Sequence, residues 1–302
     1  MQVLLAGATG AIGALLVPKL LAAGHEVTGL VRRSGALEGT GADEIVADLL
    51  DRSSVLDAVD EHEFDAIIHQ AGDLARRPLQ YSHMLTTNRL RTEGTSTLLA
   101  AARATGATQF VSASDFYGYG FSDFGTEPLD ETETFGALGP RRLDPVNLAV
   151  LSNEQQTHAF GGVSLRYGLV YGVRPARIVA SDWNGELPML HVEDAASAAV
   201  LALEKGRPGE TYNIADDHPV SWRELQQASA IAAGLRFPLA LPSWVMRASM
   251  PYAAELFTRT SMHLSTAKAR KQLGWIPAYP SFAEGLGMSV EVGDFVQGQN
   301  ST

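Results

Sequence analysis

Residues 7–13 read Gly-Ala-Thr-Gly-Ala-Ile-Gly and lie between an apolar run, Val3, Leu4, Leu5 and Ala6, and a helical stretch from Ala11 to Ala23. A strand that ends in a glycine turn and passes straight into a helix is an arrangement that grips a dinucleotide. Glycines allow positive φ in the turn and let the backbone approach a pyrophosphate, whose charge then faces the unpaired N–H groups and positive end of the helix. Gly7, Thr9, Gly10, Ala11, Ile12 and Gly13 are therefore expected to line a cofactor. The glycines stand at first, fourth and seventh places, not the commoner first, third and sixth, so the reading depends on its context.

That context begins at the second strand, Glu26 to Val31, which runs into Arg32 and Arg33. An NAD site places an acid there for the ribose 2′-hydroxyl, whereas a guanidinium suits the 2′-phosphate of NADP. NADP(H) is expected in preference to NAD(H). The plainer alternative is that both arginines are solvated surface groups.

The chain has 302 residues, 45% of them hydrophobic, enough to bury a full core as one large domain or a nucleotide-binding domain with a smaller lobe. A net charge of −11 argues against nucleic acid or an anionic membrane as partner. With no cysteine there is no disulfide, thiolate metal site or cysteine nucleophile, and the spacing of histidines and acids predicts no metal site. No apolar stretch reaches spanning length and the chain enters its first strand directly, so a soluble, cytoplasmic protein is expected.

Short β-type runs alternate with helical stretches. The runs are Val3–Ala6, Val27–Val31, Ile45–Ala47, Ala66–His69, Gln109–Ala113, Val163–Tyr167 and Thr211–Ile214; the helices lie near Ser53–Glu61, Met84–Thr105, Pro145–Phe160 and Glu193–Glu204. In the longest, Leu90, Leu98, Leu99 and Ala102 fit a buried stripe. The alternation predicts an α/β fold, a Rossmann-type doubly wound parallel sheet. After Ile214 the pattern changes to helical pieces divided by prolines. The expected division is a dinucleotide-binding core over 1–170, completed by 191–216, and a small, mostly helical substrate lobe from 171–190 and 217–302.

Further residues resemble the extended short-chain dehydrogenase/reductase superfamily, its NAD-dependent epimerase/dehydratase group, over nearly the whole chain. Asp48 with Leu49 matches the pair that contacts adenine there. Ile67, Ile68, His69, Gln70, Ala71 and Gly72 resemble the fourth strand and the turn lining the cofactor, with His69 read as structural. Asn88, Gly94 and Thr95 resemble the asparagine and glycine-threonine pair of the central helix, His191 to Ala195 a late aspartate motif, and Lys268 to Pro277 the terminal leucine-glycine-tryptophan-x-proline signature. Tyr167 falls in the sixth strand, at the cofactor. The resemblance implies a small-molecule substrate and a homodimer formed through the helices Met84–Thr105 and Pro145–Phe160.

The resemblance breaks at the chemistry. The family uses a tyrosine four residues before a lysine, the tyrosine exchanging a proton with the substrate oxygen and the lysine lowering its pKa. Here the lysines are Lys19, Lys205, Lys268 and Lys271, preceded at that spacing by Leu15, Leu201, Leu264 and Ala267. Counting from Glu154 puts Val146 and Val150 at the two family positions. Gap-free alignment from Phe110 to Gly120 puts Asp115, with Ser114 before it, where the family has a serine or threonine that hydrogen-bonds the reacting oxygen. The candidates for catalysis are thus Asp115, Ser114, Tyr117 and Tyr119. Asp115 is either a desolvated acid or base with a raised pKa or a carboxylate satisfied by backbone N–H groups. The tyrosines either supply a proton or pack.

On the substrate side, Leu169 stands where nucleotide-sugar enzymes of the family carry an asparagine, and 171–191 is short for clamping a diphosphate. A smaller or more apolar substrate is expected, with Trp183, His191, Tyr81 and Arg174 as candidate contacts and Tyr252 and Phe257 as further walls. Three functions remain open: an atypical NADP-dependent oxidoreductase acting on a carbonyl or activated C=C bond, an epimerase, dehydratase or isomerase-type lyase using Asp115, and a non-catalytic NADP-binding sensor.

Overall fold

Alternate residues of the first strand, β1 (Gln2–Ala6), enter opposite cores: Val3 and Leu5 one, Leu4 and Ala6 the other. Side chains of a strand point to alternate faces, so a strand apolar at every position must be covered on both sides. The computed structural model describes residues 1–73, 78–136, 144–172 and 178–287. Around β1 it assembles β2 (Glu26–Val31), β3 (Asp43–Val46), β4 (Ala66–His69), β5 (Gln109–Asp115) and the strands Val163–Tyr167 and Thr211–Ile214 into one seven-stranded sheet. The order is Thr211–Ile214, Val163–Tyr167, β5, β4, β1, β2, β3, every pair parallel. The chain builds outward from β1 in one direction, then returns to build from β4 in the other. The reversal leaves a crevice beyond the carboxyl ends of β1 and β4, the position at which open α/β sheets bind ligands.

Helix α1 (Ala11–Ala22) and a later helix, Val192–Lys205, cover one face; α2 (Arg52–Val59) and the helix Thr95–Thr105 cover the other. The long helix expected over Met84–Thr105 is divided. It comprises a 3₁₀ turn Tyr81–Met84, α3 (Leu85–Arg89), a π turn Leu90–Gly94 and α4 (Thr95–Thr105). At Gly94 the Leu49 side chain approaches so closely that a Cβ would lie 3.2 Å from it. The wide turn brings Arg91 into the protein, 6% exposed. Helix α5 (Asp144–Phe160) agrees with expectation within a residue.

Beyond the main sheet, further short strands accompany the helices. Leu239–Leu241 pairs with Ile178–Ala180, Val220–Ser221 with Glu186–Leu187, and Ser261–Leu264 with Asp123–Leu129. Helices Trp222–Ala232, Ser243–Ser249 and Pro251–Phe257 pack among them. No described helix is long and apolar enough to cross a membrane. Among the described residues no three His, Cys, Asp or Glu side chains gather as metal ligands.

Candidate functional site

The glycine turn closes on itself and on β4. Gly7 has φ +92°, and a Cβ there would lie 2.6 Å from the carbonyl carbon of Gln70; one on Gly13 would lie 2.0 Å from the Gly7 carbonyl oxygen. Only glycine permits both approaches. Gly10 is the N-cap of α1 with no side-chain cap, and the first turn holds no acid, so the N–H groups at Ala11, Ile12 and Gly13 have neither a side-chain cap nor a competing anion. The residues present fit a dinucleotide pyrophosphate. Thr9 and Gly10 are exposed beside it.

Arg32 and Arg33 are exposed just past β2, and among the described residues neither makes a hydrogen bond or ion pair. Glu44 on the neighbouring strand is occupied: its carboxylate accepts from the backbone N–H of Gly35 at 2.7 Å and from that of Leu37. The loop is thereby held with both guanidinium groups free. Asp48 accepts from the Leu50 N–H at 2.9 Å, and Leu49 is buried against the same face as α4.

His69 is a wholly buried hinge for the next turn. Its Nε2 donates to the Leu90 carbonyl at 3.2 Å and its Nδ1 accepts from the Ala71 N–H at 3.3 Å, one neutral tautomer serving both bonds. Burial pushes its pKa down to about 4, so it stays neutral at physiological pH. Gln70 donates to the Tyr167 hydroxyl at 3.0 Å, while Gly72 is exposed. Tyr167 lies directly beside Asp115 in the sheet register. Gly7, Gln70, Tyr167 and Asp115 thus form a row along the carboxyl ends of four neighbouring strands. Asn88, on α3, has a buried Oδ1 without a partner among the described residues.

Asp115 has a partner that the sequence did not reveal. Arg91 in the π turn forms an ion pair with the Asp115 carboxylate, and the same Nη2 bonds the Tyr117 hydroxyl. Neither expectation for Asp115 describes this: its ligand is a guanidinium, not backbone N–H groups or an apolar pocket. Burial holds the Tyr117 hydroxyl far above its ordinary pKa, against the pull of Arg91, and does the same to Tyr252. Both phenols therefore remain protonated. Rings Tyr117 and Phe121 stack at 5.5 Å, and Tyr252 meets Phe121 at 6.4 Å and Tyr81 at 6.2 Å.

Ser114 and Tyr119 lie apart from this group. Ser114 donates to Glu154 at 2.5 Å; Glu154 grips Arg166 through two bonds of 2.9 and 2.8 Å; Arg166 donates to the Tyr119 hydroxyl at 2.8 Å. Tyr119 reaches the Asp130 carbonyl and Asn213, and burial pushes its pKa up to about 12. This buried chain ties β5, α5 and the Val163–Tyr167 strand together. Val146 and Val150 are buried in the apolar cluster that also holds Phe116, Tyr117 and Tyr252.

The candidate substrate contacts are dispersed. His191 is buried between Tyr171 and Tyr279, ring centroids 5.3 and 4.0 Å away, and burial lowers its pKa. Trp183 donates to the Thr260 carbonyl at 3.3 Å and lines a small cavity with Leu187, Trp222 and Leu256. Tyr81 touches Tyr252 and so joins the Asp115 group, whereas Arg174 lies outside the described residues. The aspartate motif and the terminal signature meet: Asp194 accepts from the N–H groups of Ala278 and Tyr279 at 2.8 and 2.9 Å, and the buried Trp275 donates to the Asp194 carbonyl at 3.2 Å.

Arg91 is the functional candidate that sequence reasoning missed. The signal was present: counting 3, 4 and 7 residues onward from Arg91 reaches Gly94, Thr95 and Leu98, so a charge stood on the buried stripe.

The NAD dependent epimerase/dehydratase family model matches residues 3–215. A "3-diazoavenalumate denitrifying reductase" from Streptomyces is 34% identical over 95% of this chain and 99% of its own length. The Bacillus subtilis UDP-glucose 4-epimerase is 30% identical over 68% of this chain and 63% of its own. Among solved structures, the Thermus thermophilus UDP-glucose 4-epimerase complex with NAD has a TM-score of 0.74 at 27% identity, covering 95% of this chain and 96% of that one. The Thermotoga maritima UDP-glucose 4-epimerase, at 22% identity and TM-score 0.77 over 96% and 98%, is similar in fold. The glycine cradle at the sheet reversal and these matches together place the chain in the NAD dependent epimerase/dehydratase family.

Proposed function

We propose that the protein is an NADP(H)-dependent reductase, a cytoplasmic homodimer acting on a small substrate other than a nucleotide sugar. The observation that carries the cofactor preference is the pair Arg32 and Arg33, exposed past β2 with the adjacent carboxylate of Glu44 already bonded to backbone. Two guanidinium groups at that point suit a ribose 2′-phosphate. When bound, the nicotinamide supplies hydride chemistry.

This chain's own residues bind and orient. Gly7, Gly10 and Gly13 open the backbone to the pyrophosphate; Gln70 and Tyr167 line the strand ends; Asp115, held by Arg91, presents charge beside them. The ion pair suits a stationary charge better than a proton shuttle, which favours reduction over a lyase reaction run by Asp115. The Streptomyces relative named as a reductase, matched over its full length, supports the same choice. Leu169, half-buried and apolar, offers no polar contact to a sugar diphosphate.

Calorimetric titration with NADPH and NADH tests the reading. NADPH is expected to bind at least about tenfold tighter, and Arg32→Ala/Arg33→Ala to remove the difference without weakening NADH. Equal affinities, or no binding of either, would refute it. Light scattering of the same sample checks the dimer.

A further inference from the structure

Asp115 is the outward member of its ion pair: its side chain is 25% exposed, that of Arg91 7%. The pair therefore turns its negative end toward the crevice and its positive end into the protein. A carboxylate accepts hydrogen bonds and donates none. Hydride transfer to a carbonyl leaves an alkoxide that needs a proton, and beside Asp115 it would meet a like charge.

The neighbouring hydroxyls are buried. Ser114 donates to Glu154, Tyr119 to the Asp130 carbonyl or Asn213, and Tyr167 to the Ala195 carbonyl. Tyr117 is buried on Arg91, and Val146 and Val150 contribute only methyl groups. Of these groups the Asp115 carboxylate is the one that reaches solvent, while Ser114, Tyr117, Tyr119, Tyr167 and Tyr252 are each 6% exposed or less.

Resting on the reductase reading above, we infer that the site takes an iminium electrophile, with its positive charge on nitrogen, and that Asp115 is its counter-ion. For an iminium the balance is complete. One hydride, two electrons with one hydrogen, forms a C–H bond; the C=N π pair returns to nitrogen; the cation becomes a neutral amine, the reduced cofactor is oxidised, and no proton is taken up.

The test uses flat probes that draw no hydride from NADPH. NADPH-loaded protein is titrated with N-methylpyridinium, its neutral isostere toluene, and benzoate. N-Methylpyridinium is expected to bind about tenfold or more tighter than toluene, with benzoate weakest. The cation's advantage should vanish in Asp115→Asn. Equal binding, a preference for toluene or benzoate, no binding of any probe, or an advantage that survives in Asp115→Asn would overturn the inference. Should that variant not fold, the order of the three probes on the wild type decides. Failure of NADPH itself to bind, read in a separate titration, would instead sink the reductase reading.

Discussion

Arg91 and Asp115, 24 residues apart, meet as an ion pair of which only the carboxylate reaches solvent. Removing the buried partner leaves Asp115 and Tyr117 with an empty cavity in place of a donor. Arg91→Met is expected to cost about 1–3 kcal/mol, less than a fully buried pair because Asp115 is partly hydrated. Asp115→Asn/Arg91→Met should cost less than the sum of the two single changes. Urea denaturation of the four proteins measures the coupling; strict additivity would show that the pair has no energetic link.

Stability should also depend on Asp216. Burial, with the carboxylates of Asp194 and Asp217 adding to it, pushes its pKa from 3.8 up to about 7. The folded protein therefore keeps a proton that the unfolded chain has released. The contribution is fully present below about pH 4 and is lost as pH rises through 7. Asp216→Asn retains the bond from the His191 N–H and should flatten this fall, gaining on the order of 1 kcal/mol over wild type at pH 8 relative to pH 5. Parallel slopes in urea titrations at the two pH values would contradict it.

Gly13→Ala would place a methyl group 2.0 Å from the Gly7 carbonyl oxygen, and backbone rather than a flexible side chain would have to move. NADPH affinity is expected to fall about a hundredfold or more, because the N–H groups would no longer converge. Calorimetry measures this directly. By contrast Gly24→Ala meets no atom within 4 Å and lies away from the cradle, so its cost is confined to the φ of +81° and to stability.

The Ser114–Glu154–Arg166–Tyr119 chain has a different signature. Glu154→Leu leaves the Arg166 guanidinium, its side chain 6% exposed, without a counter-charge. A loss of about 3–5 kcal/mol is expected, and about 1–2 kcal/mol for Ser114→Ala. NADPH affinity of folded Ser114→Ala should match wild type. A large change in that affinity would move Ser114 from scaffold to site.

The sheet was legible in the sequence because its strands are apolar on both faces and separated by helical stretches, and the cofactor cradle because Gly7 and Gly13 have no substitute at those approaches. The site beyond the cradle was not. Asp115 could be placed by alignment, but its partner comes from a turn that apolar spacing reads as continuous helix, since Leu90, Leu98 and Ala102 fit a 3.6-residue period across it. Ser114 looked available because its partner, Glu154, lies 40 residues away. Strands such as Val220–Ser221 are too short to show alternation.

The turn at Leu90–Gly94 holds one residue more than a regular helical turn would need. Deleting a single position there would let the coil wind evenly and would swing the guanidinium roughly 100° around the axis, away from Asp115. What makes the charge point inward is thus a matter of length as well as of spelling. A variant that keeps Arg91 but is one residue shorter in this turn would keep its sheet and lose its anion's companion.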